Sequence, residues 1–284
     1  MTVRSPLAYQ GSKWSLIPSL LAEFDSVRNL YDVFGGSATV SINAVGHAKR
    51  VYYNDHDERV VDILITLSDM GPKKVISRLD AVIKKHGLGR TKAHRSAYFA
   101  FRDYYNRKPN PFLLWVLSKH SFSSLIRFSS KGFNLPFGKR SPGKSEQRDR
   151  ELTESISRLQ LVNLSCCTYL QFVKRYYKRA KPNDLFYFDP PYLASGDNVY
   201  KGTWTEQDDL KLMQLLDFLD SKGLRWMLSN VTEHRGRINK PLKKWMKKYN
   251  VKYPTFNRSG EGYILNRATT SDPNKTVEVL ITNY

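Results

Sequence analysis

The chain has 284 residues, of which 40% are hydrophobic and 13% aromatic. That is enough apolar material for one α/β domain with an insertion, or for two small domains, and too much for a disordered chain. Lys and Arg number 46 against 26 Asp and Glu, a net charge of +20. This imbalance points to a polyanionic partner such as nucleic acid, because basic side chains displace counterions condensed along phosphates.

The two cysteines, Cys166 and Cys167, are adjacent, and neighbouring cysteines are poor disulfide partners. Neither a Cys-x-x-Cys pair nor ligand-spaced histidines occur, so no metal is expected. The first residues lack the apolar run of a signal peptide, and no stretch approaches the ~20 apolar residues of a membrane span. The expectation is a soluble, cytoplasmic protein that does not touch a membrane and is monomeric in solution.

Residues 29–33 read as a short buried strand ending at Phe34-Gly35-Gly36. SATVSINAVG then suits a helix, and residues 50–55 suit a second strand ending in an acid. Strand, glycine turn, helix and acid-ended strand open a nucleotide-binding α/β sheet. From 57 to 120 the pattern is mostly helical, broken at Gly71-Pro72, Gly87-Leu88-Gly89 and Lys108-Pro109-Asn110-Pro111. Residues 121–140 read as a β-hairpin turning at Lys131-Gly132, and 141–150 as a polar linker. A helix over 172–179 leads to a strand over 184–192. The helix over 206–221 carries Leu210, Met213, Leu216 and Leu219 at helical spacing. A strand over 224–231, a basic helix over 242–249 and a last strand over 276–284 follow. The sequence thus predicts an α/β domain from residues 1–56 and 152–284, split by a mostly helical insertion at 57–151 that bears the hairpin.

The sharpest chemical signal is Asp189-Pro190-Pro191-Tyr192 after the apolar run LFYF. A conjugated exocyclic amino group, such as that of adenine, is a poor nucleophile because its lone pair is delocalised into the ring. The Asp189 carboxylate and the Pro190 carbonyl can each accept one amino hydrogen and aim the lone pair at an electrophile. The prolines stiffen the turn, and Tyr192 offers a face for stacking a base. The second signal is Asp32-Val33-Phe34-Gly35-Gly36, where paired glycines allow close backbone approach to a ligand. Asp55, about 20 residues on, stands where an acid binds ribose hydroxyls. The third is Tyr9-Gln10-Gly11-Ser12-Lys13, a small loop whose lysine can meet a cofactor carboxylate.

In their order, AYQGSK, DVFGGSATV, Asn54-Asp55 and FDPPY resemble the Dam-type DNA adenine methyltransferases over essentially the whole chain. The stretches HSFSSLIRFSSKGFNLPFGKR, MLSNVTEHRG and KKWMKKYNV are similar to those of the small bacteriophage Dam enzymes. The resemblance implies a Rossmann-like S-adenosylmethionine-dependent methyltransferase sheet with an inserted target-recognition subdomain. It also implies adenine-N6 methylation of double-stranded DNA at GATC. It places Tyr9, Lys13, Asp55 and Asp189 on S-adenosylmethionine and Asp32 on the methionine ammonium. Phe34, Gly35 and Gly36 belong to the cofactor turn, and Tyr169 falls where the family flanks the cofactor adenine.

Methylation of a paired base requires that it leave the stack. A two-stranded ribbon fits the major groove, so the hairpin is the expected reader, and arginine can grip the paired acceptors of guanine. Arg127 and Arg140 are the expected base contacts, with Ser123 and Pro136 nearby, Lys139 on phosphate, and Arg102 either on phosphate or bracing the hairpin. Two other readings stay open on the residues alone: methylation of another planar amine, in RNA or a glutamine side chain, and an inactive DNA-binding protein.

Overall fold

The computed structural model describes residues 2–9, 11–24, 27–89, 91–138, 145–194, 204–255, 264–265 and 276–284. The chain begins with α1 (Ile17–Glu23), β1 (Asn29–Asp32), α2 (Thr39–Ala44) and β2 (Arg50–Asp55). A helical stretch follows: α3 (Glu58–His86), α4 (Arg95–Arg107), α5 (Pro111–His120), a small hairpin of β3 (Phe128–Ser129) and β4 (Gly132–Phe133), and α6 (Glu146–Leu159). The sheet resumes with β5 (Val162–Cys166), α7 (Tyr169–Tyr176), β6 (Leu185–Phe188), α8 (Glu206–Ser221), β7 (Arg225–His234) and β8 (Arg237–Ile238). It ends with α9 (Lys240–Trp245), β9 (Asn250–Lys252), β10 (Pro254–Thr255), β11 (Ile264–Leu265) and β12 (Thr276–Thr282).

Local chemistry sets the helix starts. Asp57 caps α3 through the Arg59 amide, Asn110 caps α5 ahead of Pro111, and Ser145 caps α6. Thr168 and Thr205 form reciprocal capping boxes with Gln171 and Asp208 at α7 and α8. Strands β1 and β6 are buried at every residue, as parallel strands covered on both faces must be.

The main sheet runs β5-β2-β1-β6-β7-β12-β9, with β8 paired to β7. Strands β5, β2, β1, β6 and β7 are parallel neighbours, and β12 is antiparallel to β7 and β9. This is a Rossmann-like α/β sheet, as expected. Side-chain alternation divides its core. Leu185 and Tyr187 of β6 join one apolar cluster with α1, α2 and the helices α3 to α6; Phe186 and Phe188 join another with α7, α8 and α9. From β1 the chain proceeds to β2 on one side, while β6 lies on the other. The order reverses there, and in such sheets the crevice beyond the carboxyl ends at the reversal binds ligands.

Several expectations need adjusting. Strand β5 was not anticipated, because VNLSC is half polar and one residue of every two faces outward. The expected break at Gly71-Pro72 is a kink inside α3, with Gly71 at φ 69°. The hairpin strands are only two residues each, and Phe122–Ser124 form a 3-10 turn before them. Helix α7 starts three residues earlier than expected, at its Thr168 cap. The basic helix ends at Trp245 and continues as a 3-10 turn over Met246–Lys248. The expected domain boundary at 151 falls inside α6. Among the described residues, no helix is long and apolar enough to cross a membrane.

Candidate active site

Three acids stand at the carboxyl end of the sheet: Asp32 ends β1, Asp55 ends β2, and Asp189 directly follows β6. One cleft is lined by Tyr9, Lys13, Asp32, Phe34, Gly35, Gly36, Asp55, Asp189, Pro190, Pro191 and Tyr192, together with Ser12, Ser37, Thr39 and His56. The fold thus brings together the three sequence segments that carry the chemical signals, at the point where the strand order reverses.

Asp32 is 1% exposed. Its Oδ2 accepts a 2.6 Å hydrogen bond from Ser41 Oγ on α2, while Oδ1 is buried without a partner. Burial pushes its carboxyl up to about 7; the Ser41 bond opposes this, and Asp189 and Asp55 reinforce it. Asp55 accepts from the Gly36 amide at Oδ2 and from the Asp57 amide at Oδ1, each at 2.9 Å. Its Oδ1 also lies 3.5 Å from His56 Nδ1, a contact that raises the imidazole's pKa. A carboxylate offers about four lone-pair sites, so Asp55 retains capacity for a ligand's hydroxyls.

The glycine turn is built differently from the simplest reading. A Cβ on Gly35 would sit 2.2 Å from the Tyr53 ring, so any side chain here would clash with that buried tyrosine. Tyr53 in turn donates to the Gly36 carbonyl at 2.7 Å. Gly36 has φ +48°, a conformation that suits glycine. Asn54 ties the rim together. Its amide donates to Val33 O at 3.1 Å and Cys167 O at 3.0 Å, and its Oδ1 accepts from the Cys167 amide at 3.0 Å.

At the Asp-Pro-Pro-Tyr turn, Asp189 Oδ1 accepts from Tyr192 OH at 2.6 Å, and Oδ2 lies 2.7 Å from Lys13 Nζ. The Lys13 ammonium also stands 4.9 Å from the Tyr192 ring centroid. Burial and the neighbouring Asp189 push the Tyr192 hydroxyl well above its ordinary range. Glu278 of β12 is a further acid here that the sequence motifs did not mark. Its Oε2 is buried without a partner, and burial raises its carboxyl, with Lys13 opposing and Asp189 reinforcing.

Tyr169 is not on the cleft wall itself; its ring stacks on Phe34 at 5.3 Å. Trp204 completes this group, 5.7 Å from Phe34 and 5.9 Å from Tyr169. The Trp204 indole donates to Asp209 Oδ1 at 2.6 Å, and Asn239 donates to Oδ2 at 2.6 Å. No sequence motif marked Asp209, a charge buried in the first turn of a helix.

Of the residues expected on DNA, Ser123, Arg127 and Pro136 are exposed on the hairpin segment. Arg127 Nε donates to Asn134 Oδ1 at 3.0 Å across the hairpin, and Ser123 holds φ 56°. Arg102 lies 4.8 Å over the Phe99 ring and 3.4 Å from Asp103, with its Nε buried and unpartnered. Lys139 and Arg140 lie outside the described residues. The hairpin is braced by Asn106 of α4, which donates to Phe133 O at 3.2 Å and accepts from Phe133 N at 2.9 Å.

The chain is 33% identical to Modification methylase StsI of Streptococcus sanguinis and 32% identical to Type II methyltransferase M.FokI of Planomicrobium okeanokoites, each over 291 residues. Both alignments cover 99% of this chain and 43% of the relative, so the chain spans less than half the length of either. It is 24% identical to a DNA adenine methylase of Vibrio cholerae over 271 residues, 91% of this chain and 92% of that protein. From Tyr9 through the sheet, the cleft and the helical insertion to residue 259, the sequence matches one family, and the chain belongs to it: the D12 class of N6 adenine-specific DNA methyltransferases.

Proposed function

We propose that this chain transfers a methyl group from S-adenosylmethionine to the N6 amino group of an adenine displaced from double-stranded DNA. The observation that carries the reading is the meeting of Asp32, Asp55 and the Asp189–Tyr192 turn in one cleft at the sheet's switch point. A predominantly acidic cleft suits a cationic ligand, and the unpartnered Asp32 Oδ1 calls for a donor such as an ammonium. The residues fit the cofactor: Asp32 would take the methionine ammonium, Asp55 the ribose hydroxyls and Lys13 the carboxylate, with Tyr9, Phe34 and Tyr169 beside the ring system.

When bound, the cofactor supplies an electrophilic methyl on a sulfonium. Asp189 and the Pro190 carbonyl accept the two amino hydrogens and direct the nitrogen lone pair at that methyl. Their negative charge stabilises the positive charge that develops on nitrogen. Tyr192 holds the base by stacking, which offsets part of the few kcal/mol needed to extract it from the helix. Residues 57–151 form the proposed target-recognition part, and Arg127, Arg140, Ser123 and Pro136 its base-edge side, with Lys139 and Arg102 on the backbone.

For the target sequence, the likeness of residues 121–140 to Dam-type enzymes supports GATC, and so does the near full-length match to a DNA adenine methylase. The higher identity to Modification methylase StsI and Type II methyltransferase M.FokI supports a different short adenine-containing site. Unmethylated plasmid is incubated with protein and cofactor, then digested with one enzyme blocked by adenine-methylated GATC and one that requires it. Protection from the first with sensitivity to the second is expected for GATC. Methyl incorporation without either change would assign the other site.

A further inference from the structure

We infer that Lys13 occupies the seat of the target amino group in the cofactor-free protein, and vacates it by moving onto the carboxylate of the bound cofactor. The inference rests on the methyl-transfer reading above. An incoming adenine amino group needs two things: an acceptor on Asp189 and the face of Tyr192. In this structure the Lys13 ammonium has both, 2.7 Å from Asp189 Oδ2 and 4.9 Å from the Tyr192 ring centroid. Asp189 Oδ1 is taken by Tyr192 OH at 2.6 Å. An ammonium and an amino group are both nitrogen donors, and they cannot share one place against one oxygen.

The surroundings explain why the lysine rests there and what moves it. Its side chain is only 7% exposed and pairs with Asp189, while Lys13 also opposes the rise of the buried Glu278 carboxyl, whose Oε2 has no partner among the described residues. Withdrawing the ammonium alone would leave these two acids without it in a half-buried site, which is costly. A cofactor bearing a sulfonium restores a positive charge to the cleft and offers Lys13 a carboxylate in exchange. Gly11, whose carbonyl lies 3.3 Å from Lys13 Nζ, has φ +78° and open space around it, so the backbone beside the lysine is free to rearrange. Base capture is thereby coupled to cofactor binding, and by linkage the captured base tightens the cofactor.

The test places 2-aminopurine at the target position of a duplex containing the methylated site and follows its emission, with DNA binding monitored by anisotropy. With wild-type protein alone, the emission is expected to stay near that of the free duplex. Sinefungin, which keeps the carboxylate and carries an ammonium where the cofactor has its sulfonium but has no methyl to give, should raise it several-fold. Methylthioadenosine, which lacks the carboxylate, should not. Lys13→Met, which keeps the stem and removes the charge, should be bright with no nucleoside added. Wild-type protein that is bright without cofactor, or a folded, DNA-bound Lys13→Met that stays dark, would overturn the inference. Should that variant fail to fold by circular dichroism, the contrast between the two nucleosides on wild-type protein decides alone. A protein that methylates DNA but is bright without cofactor loses only this inference. One that methylates no DNA loses the parent reading.

Discussion

Ser41 on α2 donates a 2.6 Å hydrogen bond to Oδ2 of Asp32, and among the described residues no group meets Oδ1 of the same carboxylate. One oxygen of this cleft-lining acid is anchored and the other is not. Burial pushes it up to about 7, against about 4 in an unfolded chain. The folded state therefore binds more protons between those values, and this group's contribution to stability falls as pH rises from about 4 to about 7. Cofactor binding uses the ionised form and should behave oppositely. Calorimetry with S-adenosylhomocysteine is expected to show affinity rising by about tenfold or more from pH 5.5 to 8. Asp32→Asn should flatten that rise and weaken binding at pH 8 by about 10- to 100-fold, the worth of one charge-assisted hydrogen bond. An unchanged pH profile in the variant would remove Asp32 from the cofactor site.

The hairpin is held at Gly132, where φ is +101° and an added Cβ would lie 2.7 Å from Asn106 Oδ1. Gly132→Ala is expected to strain the turn and dislodge Asn106, at a cost of about 1–3 kcal/mol. Because no residue of α4 or the hairpin lines the cleft, affinity for S-adenosylhomocysteine should be unchanged while discrimination between target and random duplex falls. Fluorescence anisotropy on both duplexes reads this. Equal discrimination in the variant would separate the hairpin from sequence reading.

Arg127 is exposed and held by Asn134 at 3.0 Å, an orientation that points to recognition rather than to packing. Arg127→Ala should cost about 1–3 kcal/mol on the target duplex and relax preference at a single base position. A uniform loss across all sequences, with a shallower dependence on salt, would instead make it a phosphate contact. Competition binding with every single-base variant of the site distinguishes the two.

Asp209 accepts from both Trp204 and Asn239 at 2.6 Å while being 3% exposed. In Asp209→Asn one acceptor becomes a donor, so one of those two N–H groups is left unpaired at about 1–3 kcal/mol. A melting temperature lower by a few degrees is expected by scanning fluorimetry. Weaker cofactor binding should accompany it, because Trp204 is what Phe34 and Tyr169 lean on. Lowered stability with unaltered cofactor affinity would confine Asp209 to packing.

Much of the sheet was legible because its central strands are buried runs and its turns carry distinctive residues. NLYD, RVYYND and LFYF fall where their apolarity puts them, and the motif residues lie at their ends. Strand β5 was not legible, since an edge strand need not be apolar throughout. Glu278 and Asp209 were invisible for a related reason. Nothing in the local pattern of β12 or α8 distinguishes an acid turned inward from one turned to water, and only the packing of distant segments does so. The need for glycine at position 35 has a second cause that the motif does not show, the ring of Tyr53 eighteen positions later, which a Cβ would meet. The lysine of the N-terminal loop was legible as a cofactor contact, yet its pairing with Asp189 is a relation across the fold.

The proposed role of Asp189 is to hold an adenine amino group for methylation. Duplex DNA is incubated with the protein and S-adenosylmethionine carrying a deuterated methyl, then digested to nucleosides and analysed by mass spectrometry. The account predicts labelled N6-methyladenine with wild-type protein. With Asp189→Ala it predicts a rate lower by about 10²- to 10³-fold or more while the variant still binds DNA. Label in cytosine, in RNA or in the protein alone, or label in adenine that survives Asp189→Ala at the wild-type rate, would contradict it.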